Sequence, residues 1–205
     1  MVCEGDAMRM IRNLTLVVVL IWGCLMTKES MPVVVKQMNL EDVITSAQYI
    51  FSGLCTGSER RYDAETGREV VFVQFTVTQM LKGEEVDEIT FKMSKVAVDM
   101  GNVPTFTHGQ EVILFLYGKS DVGFTSPVGL AQGTFSVLSS STGEKVVVNG
   151  NNNSNLFQGI DTIKYAKRAA GSSFLAALDR VVPHQSGPVN YQTFITLVEG
   201  MVDTQ

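Results

Sequence analysis

Two histidines, His108 and His184, are the side chains of this sequence best suited to move a proton near neutral pH. His108 precedes Gly109 and His184 follows Pro183, so both read as loop residues facing solvent. Asp99, His108 and Ser126 supply the residue types of an acid, a base and a nucleophile. Any chain of this length offers such a trio, so a hydrolase built on it is the least favoured reading. No His-Glu-x-x-His helix, Cys-x-x-Cys pair, carboxylate-rich calcium loop, Gly-x-Ser-x-Gly elbow or Walker loop occurs. The sequence therefore predicts no catalytic residue, no metal site and no cofactor.

Recognition chemistry has better candidates. Gly129-Leu130-Ala131-Gln132-Gly133 leads into an expected strand. Its glycines, Gly129 and Gly133, let another backbone approach closely, and Gln132 carries two donors and an acceptor. Asn149 to Asn155 is a polar tract with five asparagines, among them Asn149, Asn152 and Asn153. Its composition is that of a loop, and amide side chains suit it to hydrogen-bonded recognition. The structural alternative is that Gln132 pins this loop in place, and the residues alone favour that alternative. Cys55, flanked by Leu54 and Thr56, reads as a small packed apolar residue rather than a nucleophile.

The elements that would hold these residues are mostly strands. Val71, Val73, Phe75 and Val77 alternate with Gln74, Thr76 and Thr78, which predicts a half-buried strand from Val70 to the turn at Lys82-Gly83. Tyr49 to Leu54 predicts its hairpin partner, with Gly53 marking a bulge or a close backbone approach. Ser58 to Arg68 interleaves Arg60, Arg61 and Arg68 with Glu59, Asp63 and Glu65, the pattern of a solvated loop. Ile89, Phe91 and Met93 alternate inward in a third strand, and Ser94 to Gln110 reads as irregular. Glu111 to Tyr117 is apolar on both faces, as in a doubly covered strand. Gly133 to Leu138 and Lys145 to Val148 form a second hairpin around Thr142-Gly143. Asn39 caps a short helix with the stripe Leu40, Val43, Ile44 and Ala47. Residues 161–188 read as a partly helical or disordered linker. Asn190 caps a last helix, 189–202, whose stripe of Tyr191, Phe194, Ile195, Val198, Met201 and Val202 docks on the core.

Of 205 residues, 45% are hydrophobic and 18% charged, which predicts a globular chain. A net charge of −5 offers no basic excess for a nucleic-acid partner. Arg9 and Arg12 precede the apolar run Leu14 to Met26, which has the length of a signal-peptide core. The first 30 residues are expected to be a signal peptide, with a retained membrane anchor as the alternative. Met8 or Met10 would give a cleaner start. Gly23-Cys24 weakly matches a lipidation signal, with Cys24 as the acceptor. The expected location is periplasmic or extracellular, with membrane contact only through this leader or a lipid.

Short strands without βαβ spacing point to a mainly β fold: a small antiparallel OB-like barrel over residues 32–160, with a β-sandwich as runner-up. Several segments together resemble a family of exported bacterial proteins of uncharacterised function with a netrin-like, metalloprotease-inhibitor-like barrel. They are Asn39 to Val43 with Ala47 and Gly53; Leu81-Lys82-Gly83; Gly109 to Leu116; Gly129 to Phe135; and Val148-Asn149-Gly150 through Leu156-Phe157. The resemblance implies export, the barrel and a protein partner such as a metalloprotease. The stapling cysteines of true metalloprotease inhibitors are missing, so that inhibitory mechanism does not carry over. The expectation is a non-enzymatic exported binding module. An oligosaccharide-binding surface barrel is the alternative, favoured if Tyr49, Phe72 and Phe91 are exposed.

Overall fold

Strands dominate the chain because its β-branched and aromatic residues recur with period two, and most of them find a partner on each side. The computed structural model describes residues 36–168 and 172–204. The leader and Cys24 lie outside the described residues, and the described part falls in the unit that begins at Val35. Seven strands form one antiparallel sheet: β1 (Tyr49–Asp63), β2 (Arg68–Lys82), β3 (Glu88–Ser94), β4 (Glu111–Leu116), β5 (Thr134–Ser139), β6 (Lys145–Asn149) and β7 (Val189–Asn190). Their order is β3-β2-β1-β4-β5-β6-β7. Among the described residues β3 and β7 do not pair, so this sheet is not closed into a barrel, where a small closed or partly closed barrel was expected.

Five α-helices are described: α1 (Leu40–Ser46), α2 (Lys95–Asp99), α3 (Thr162–Arg168), α4 (Ser172–Val181) and α5 (Tyr191–Val202). None of them is long and apolar enough to cross a membrane. Asn39 and Asn190 cap α1 and α5 as their positions predict, accepting from Asp42 N–H and Thr193 N–H. α2 falls in the stretch expected to be irregular, and Ser94 caps it.

The sheet buries both faces, and the two cores differ in construction. On one face α1, α3, α4 and α5 cover Ile50, Ile113, Phe115, Phe135 and Val147. On the other, Phe51, Cys55, Val71, Val73, Phe75, Phe91, Met93 and Leu114 pack on one another and on Phe106 from the loop before β4. The rings of Phe51 and Phe91 lie 5.6 and 6.1 Å from that of Phe75. β4 feeds both cores, so its apolar run has no polar face, as expected of a doubly covered strand.

Three expectations need correction. The charged stretch from Ser58 continues β1 to Asp63 in register with β2, because backbone pairing holds it even though its side chains are exposed. Residues 161–188, read as a partly helical or disordered linker, are helical in part as expected, but among the described residues they pack on the core instead of bridging it. They carry α3 and α4, and Tyr165, Phe174, Ala177, Leu178 and Val181 are buried in the helix-covered core. Gly200 of α5 lets the Phe174 ring lie against the helix, where a Cβ would collide with it. Phe91, read as inward on β3 but also as a candidate exposed aromatic, is buried in the phenylalanine core, so only the first reading holds.

The face assignment of β2 has a direct consequence. Phe75 is fully buried and Gln74 is exposed. Phe75→Ala should cost roughly 3–5 kcal/mol in urea unfolding. Gln74→Ala should cost about 0.5 kcal/mol or less. Equal losses would contradict the assignment.

Candidate functional site

Gly129, Gln132, Gly133, Asn149 and Asn153 converge at one end of the helix-covered core. Leu130–Gly133 form a 3-10 turn entered through two successive left-handed residues, Gly129 (φ 56°) and Leu130 (φ 59°). Leucine is rarely found there, so the turn stores strain that its surroundings must hold. Leu130 N–H donates to Pro127 C=O at 3.0 Å, and Thr134 Oγ1 donates to Leu130 C=O at 3.2 Å. Gly133 packs against the Val128 backbone so closely that a Cβ would strike the Val128 carbonyl oxygen.

The polar side chains of this cluster are spent on the chain itself. Gln132 is buried; its Oε1 accepts from Met38 N–H at 2.8 Å and its Nε2 donates to Lys36 C=O at 2.9 Å. The expectation that Gln132 pins the asparagine loop needs adjusting. Its side chain pins residues 36–38, and only its main-chain carbonyl meets the loop, accepting from Asn149 Nδ2 at 3.1 Å. Asn149 and Asn153 are likewise buried and hold each other, each side-chain oxygen accepting from the other's N–H at 2.9 and 2.8 Å. Asn153 Nδ2 donates to Val147 C=O and Gly187 C=O. Asn152, Asn153 and Asn155 are left-handed, which asparagine tolerates better than other non-glycine residues. Asn152 is the candidate of this group whose side chain stays exposed.

A second constellation closes the β1–β2 hairpin tip. Lys92 Nζ donates to Asp63 Oδ2 at 3.0 Å, to Glu65, and to Val122 C=O at 3.2 Å. Thr66 Oγ1 donates to the same Asp63 oxygen at 2.8 Å. The Thr66 hydroxyl, with the Lys92 ammonium, holds the Asp63 carboxyl below its ordinary pKa, and Glu65 and Asp63 raise that of Lys92. The cluster ties the hairpin turn to the loop after β4. It had no local signal, because the partners of Lys92 lie 27 to 30 residues from it along the chain.

Beside this cluster, shallow grooves flank Phe124. One, of about 450 Å3, is lined by Met93, Ala97, Val103, Tyr117 and Thr125 among others. The other, of about 420 Å3, runs along Arg68, Ser94, Lys95 and Val96. Both volumes fall in the ~300–1,000 Å3 range of ligand clefts, whereas the cavity beneath Tyr49, Glu88 and Thr90 is about 200 Å3.

The would-be triad is not assembled. The Asp99 carboxylate pairs with Arg60 at 2.7 Å and Lys95 at 2.9 Å. His108 Nδ1 lies 2.9 Å from Thr56 C=O, and no hydrogen bond joins His108 to Asp99 or Ser126. Cys55 is buried, and that burial pushes its thiol pKa up. Among the described residues no group of three or more His, Cys, Asp or Glu is placed to hold a metal ion. Of the three aromatics, Tyr49 is half-buried and Phe72 lies under Arg61, whose guanidinium is 3.7 Å from the ring centre. No protein-family model matches the chain, and no curated protein matches it.

The hydrogen bonds of Gln132 make its role measurable. Gln132→Ala leaves the partly buried Met38 N–H without its acceptor and should destabilise the protein by about 1–3 kcal/mol. Thermal unfolding followed by circular dichroism checks this. An unchanged melting temperature would show that the pin is dispensable.

Proposed function

We propose that this chain is an exported, non-enzymatic binding module on an OB-like barrel, acting on a protease or another envelope protein. The barrel reading is supported by the segment after β4. Phe124 bridges Lys92 of β3 in parallel, and Pro127 bridges Leu116 of β4 antiparallel. Thr125 N–H donates to Lys92 C=O and Tyr117 N–H to Ser126 C=O, both at 3.1 Å. Residues 124–127 thus lie between the free edge of β3 and the end of β4. On the barrel reading, β1, β2, β3, α2, β4 and 124–127 together enclose the phenylalanine core. In OB-type barrels the face of strands 2 and 3 and the loops joining strands 1–2 and 4–5 carry the ligand.

The observation that carries the binding reading is the pair of grooves beside Phe124. They lie where the β1–β2 turn and the loop after β4 are drawn together by Lys92, and Val96 stands exposed at the second of them. Exposed apolar side chains around a fixed aromatic suit a protein segment better than a small polar ligand. Export rests on the basic residues and the apolar run of the leader. The oligosaccharide alternative has less behind it, since Phe91 is inside and Phe72 is covered.

A photo-crosslinker placed at Val96 in the native host tests this. It should trap a defined envelope protein, and the same probe at Asn152 should not. Trapping at Asn152 alone, or at neither position, contradicts the proposal.

A further inference from the structure

β1 ends in a feature that the binding groove does not use. Up to Leu54 it pairs with β4 on one side and with β2 on the other. A register shift between Cys55 and Gly57 ends that arrangement, and the last contact on the β4 side is His108 with Thr56 C=O. From Ser58 to Tyr62 the strand keeps its pairing with β2, and no described backbone group bonds to its other edge. All five of these residues are exposed, and Asp63 beyond them is buried in the Lys92 cluster. The free edge is therefore five residues long and bounded at both ends.

Open edges invite another strand, and charged residues are a usual defence. Here the order of charges has a second property. An antiparallel copy related by a two-fold axis through Arg60 sets Glu59 opposite Arg61 of the other copy, and Arg61 opposite its Glu59. Ser58 then faces Tyr62. Directly opposite residues of unlike charge attract, so this register is self-complementary. Shifting the axis by one residue, to Glu59 or Arg61, puts that residue opposite its own like charge without the two reciprocal pairs. Arg60 itself meets its copy on the axis, but Asp99 draws its guanidinium aside at 2.7 Å. Arg61 and Glu59 are 56% and 65% exposed and lie 3.3 Å apart, and with the Arg61 guanidinium resting on the Phe72 ring, that ion pair can be exchanged for one across the strands. A two-fold contact of this kind closes on itself and builds no fibre.

We propose that Ser58–Tyr62 is a self-association edge that joins two copies of this chain as an antiparallel β-pair centred on Arg60. Sedimentation equilibrium on the full chain, kept in mild detergent so that Leu14 to Met26 cannot mediate contact, reads it. Wild type should show a monomer–dimer equilibrium. Glu59→Arg and Arg61→Glu should each weaken it by about tenfold or more, since each sets like charges opposite at two symmetric positions. The double exchange Glu59→Arg with Arg61→Glu should restore it. Arg60→Cys should oxidise to a covalent dimer, because the two copies meet at that residue, whereas Gln74→Cys on β2 should not. A monomer at every concentration would mean the charges only guard the edge, and would overturn the proposal. So would a dimer indifferent to Glu59→Arg, or an Arg60→Cys variant that stays monomeric under oxidation.

Discussion

The whole arrangement depends on one close backbone approach, at Gly53 in β1. Gly53 faces Val77 of β2 and Val112 of β4, and a Cβ there would sit 2.7 Å from the Thr76 carbonyl oxygen. The register with β2 shifts beside it, between Ser52 and Gly53, and again on either side, between Ile50 and Phe51 and between Cys55 and Gly57. Each shift adds bend and twist to a strand. Bent in this way, β1 belongs to two structures. Its first half lies in the middle of the sheet, and its second half leaves with β2.

The two cores follow from that bend. Ile50 turns toward the helices and Phe51, its neighbour, toward the phenylalanine cluster. Ser52, on the helix side, is buried but accepts from the Tyr191 hydroxyl at 3.0 Å, which fastens α5 to the strand. Lys82 at the far end of β2 donates to Ile44 C=O at 2.9 Å, adding a second bond to a last-turn carbonyl of α1 that already holds the 3.3 Å bond from Ala47 N–H. The opposite end of the hairpin is held by Asp63 and Lys92. Both ends of the long hairpin are thus tied to other elements, and among the described residues no backbone partner lies on the charged outer edge of β1.

What the residues made legible was local and periodic. Alternation in β2, β3 and β5–β6 reflects one buried face, and the double-sided apolar run of β4 reflects two. The outer half of β1 lacked that signal because neither of its faces is buried deeply enough to demand apolar residues. α4 carries a helical stripe, Phe174, Ala177, Leu178 and Val181, but the Gly, Ser and Ala interleaved with Arg and Lys over residues 161–188 read only as a partly helical or disordered linker. The site was harder. Gln132 and the asparagines were recognisable as hydrogen-bonding residues, yet their partners, such as residues 36–38 more than ninety positions away, leave no trace in local spacing. The Lys92 cluster and the grooves beside Phe124 are also products of topology alone.

A pair of alanine substitutions in β1 tests the account at its centre. No atom lies within 4 Å of where a Cβ on Gly57 would stand, whereas Gly53 is hemmed in by Thr76 and the Phe51 ring. Gly57→Ala should leave stability unchanged or raise it by about 0.4–1 kcal/mol, through the lower entropy of the unfolded chain. Gly53→Ala should lower it by roughly 1–3 kcal/mol, the cost of forcing an atom into a packed interior. Urea unfolding of the two variants gives the comparison. A Gly53→Ala protein as stable as wild type would contradict the claim that the close approach at this glycine sets the bend on which both cores rest.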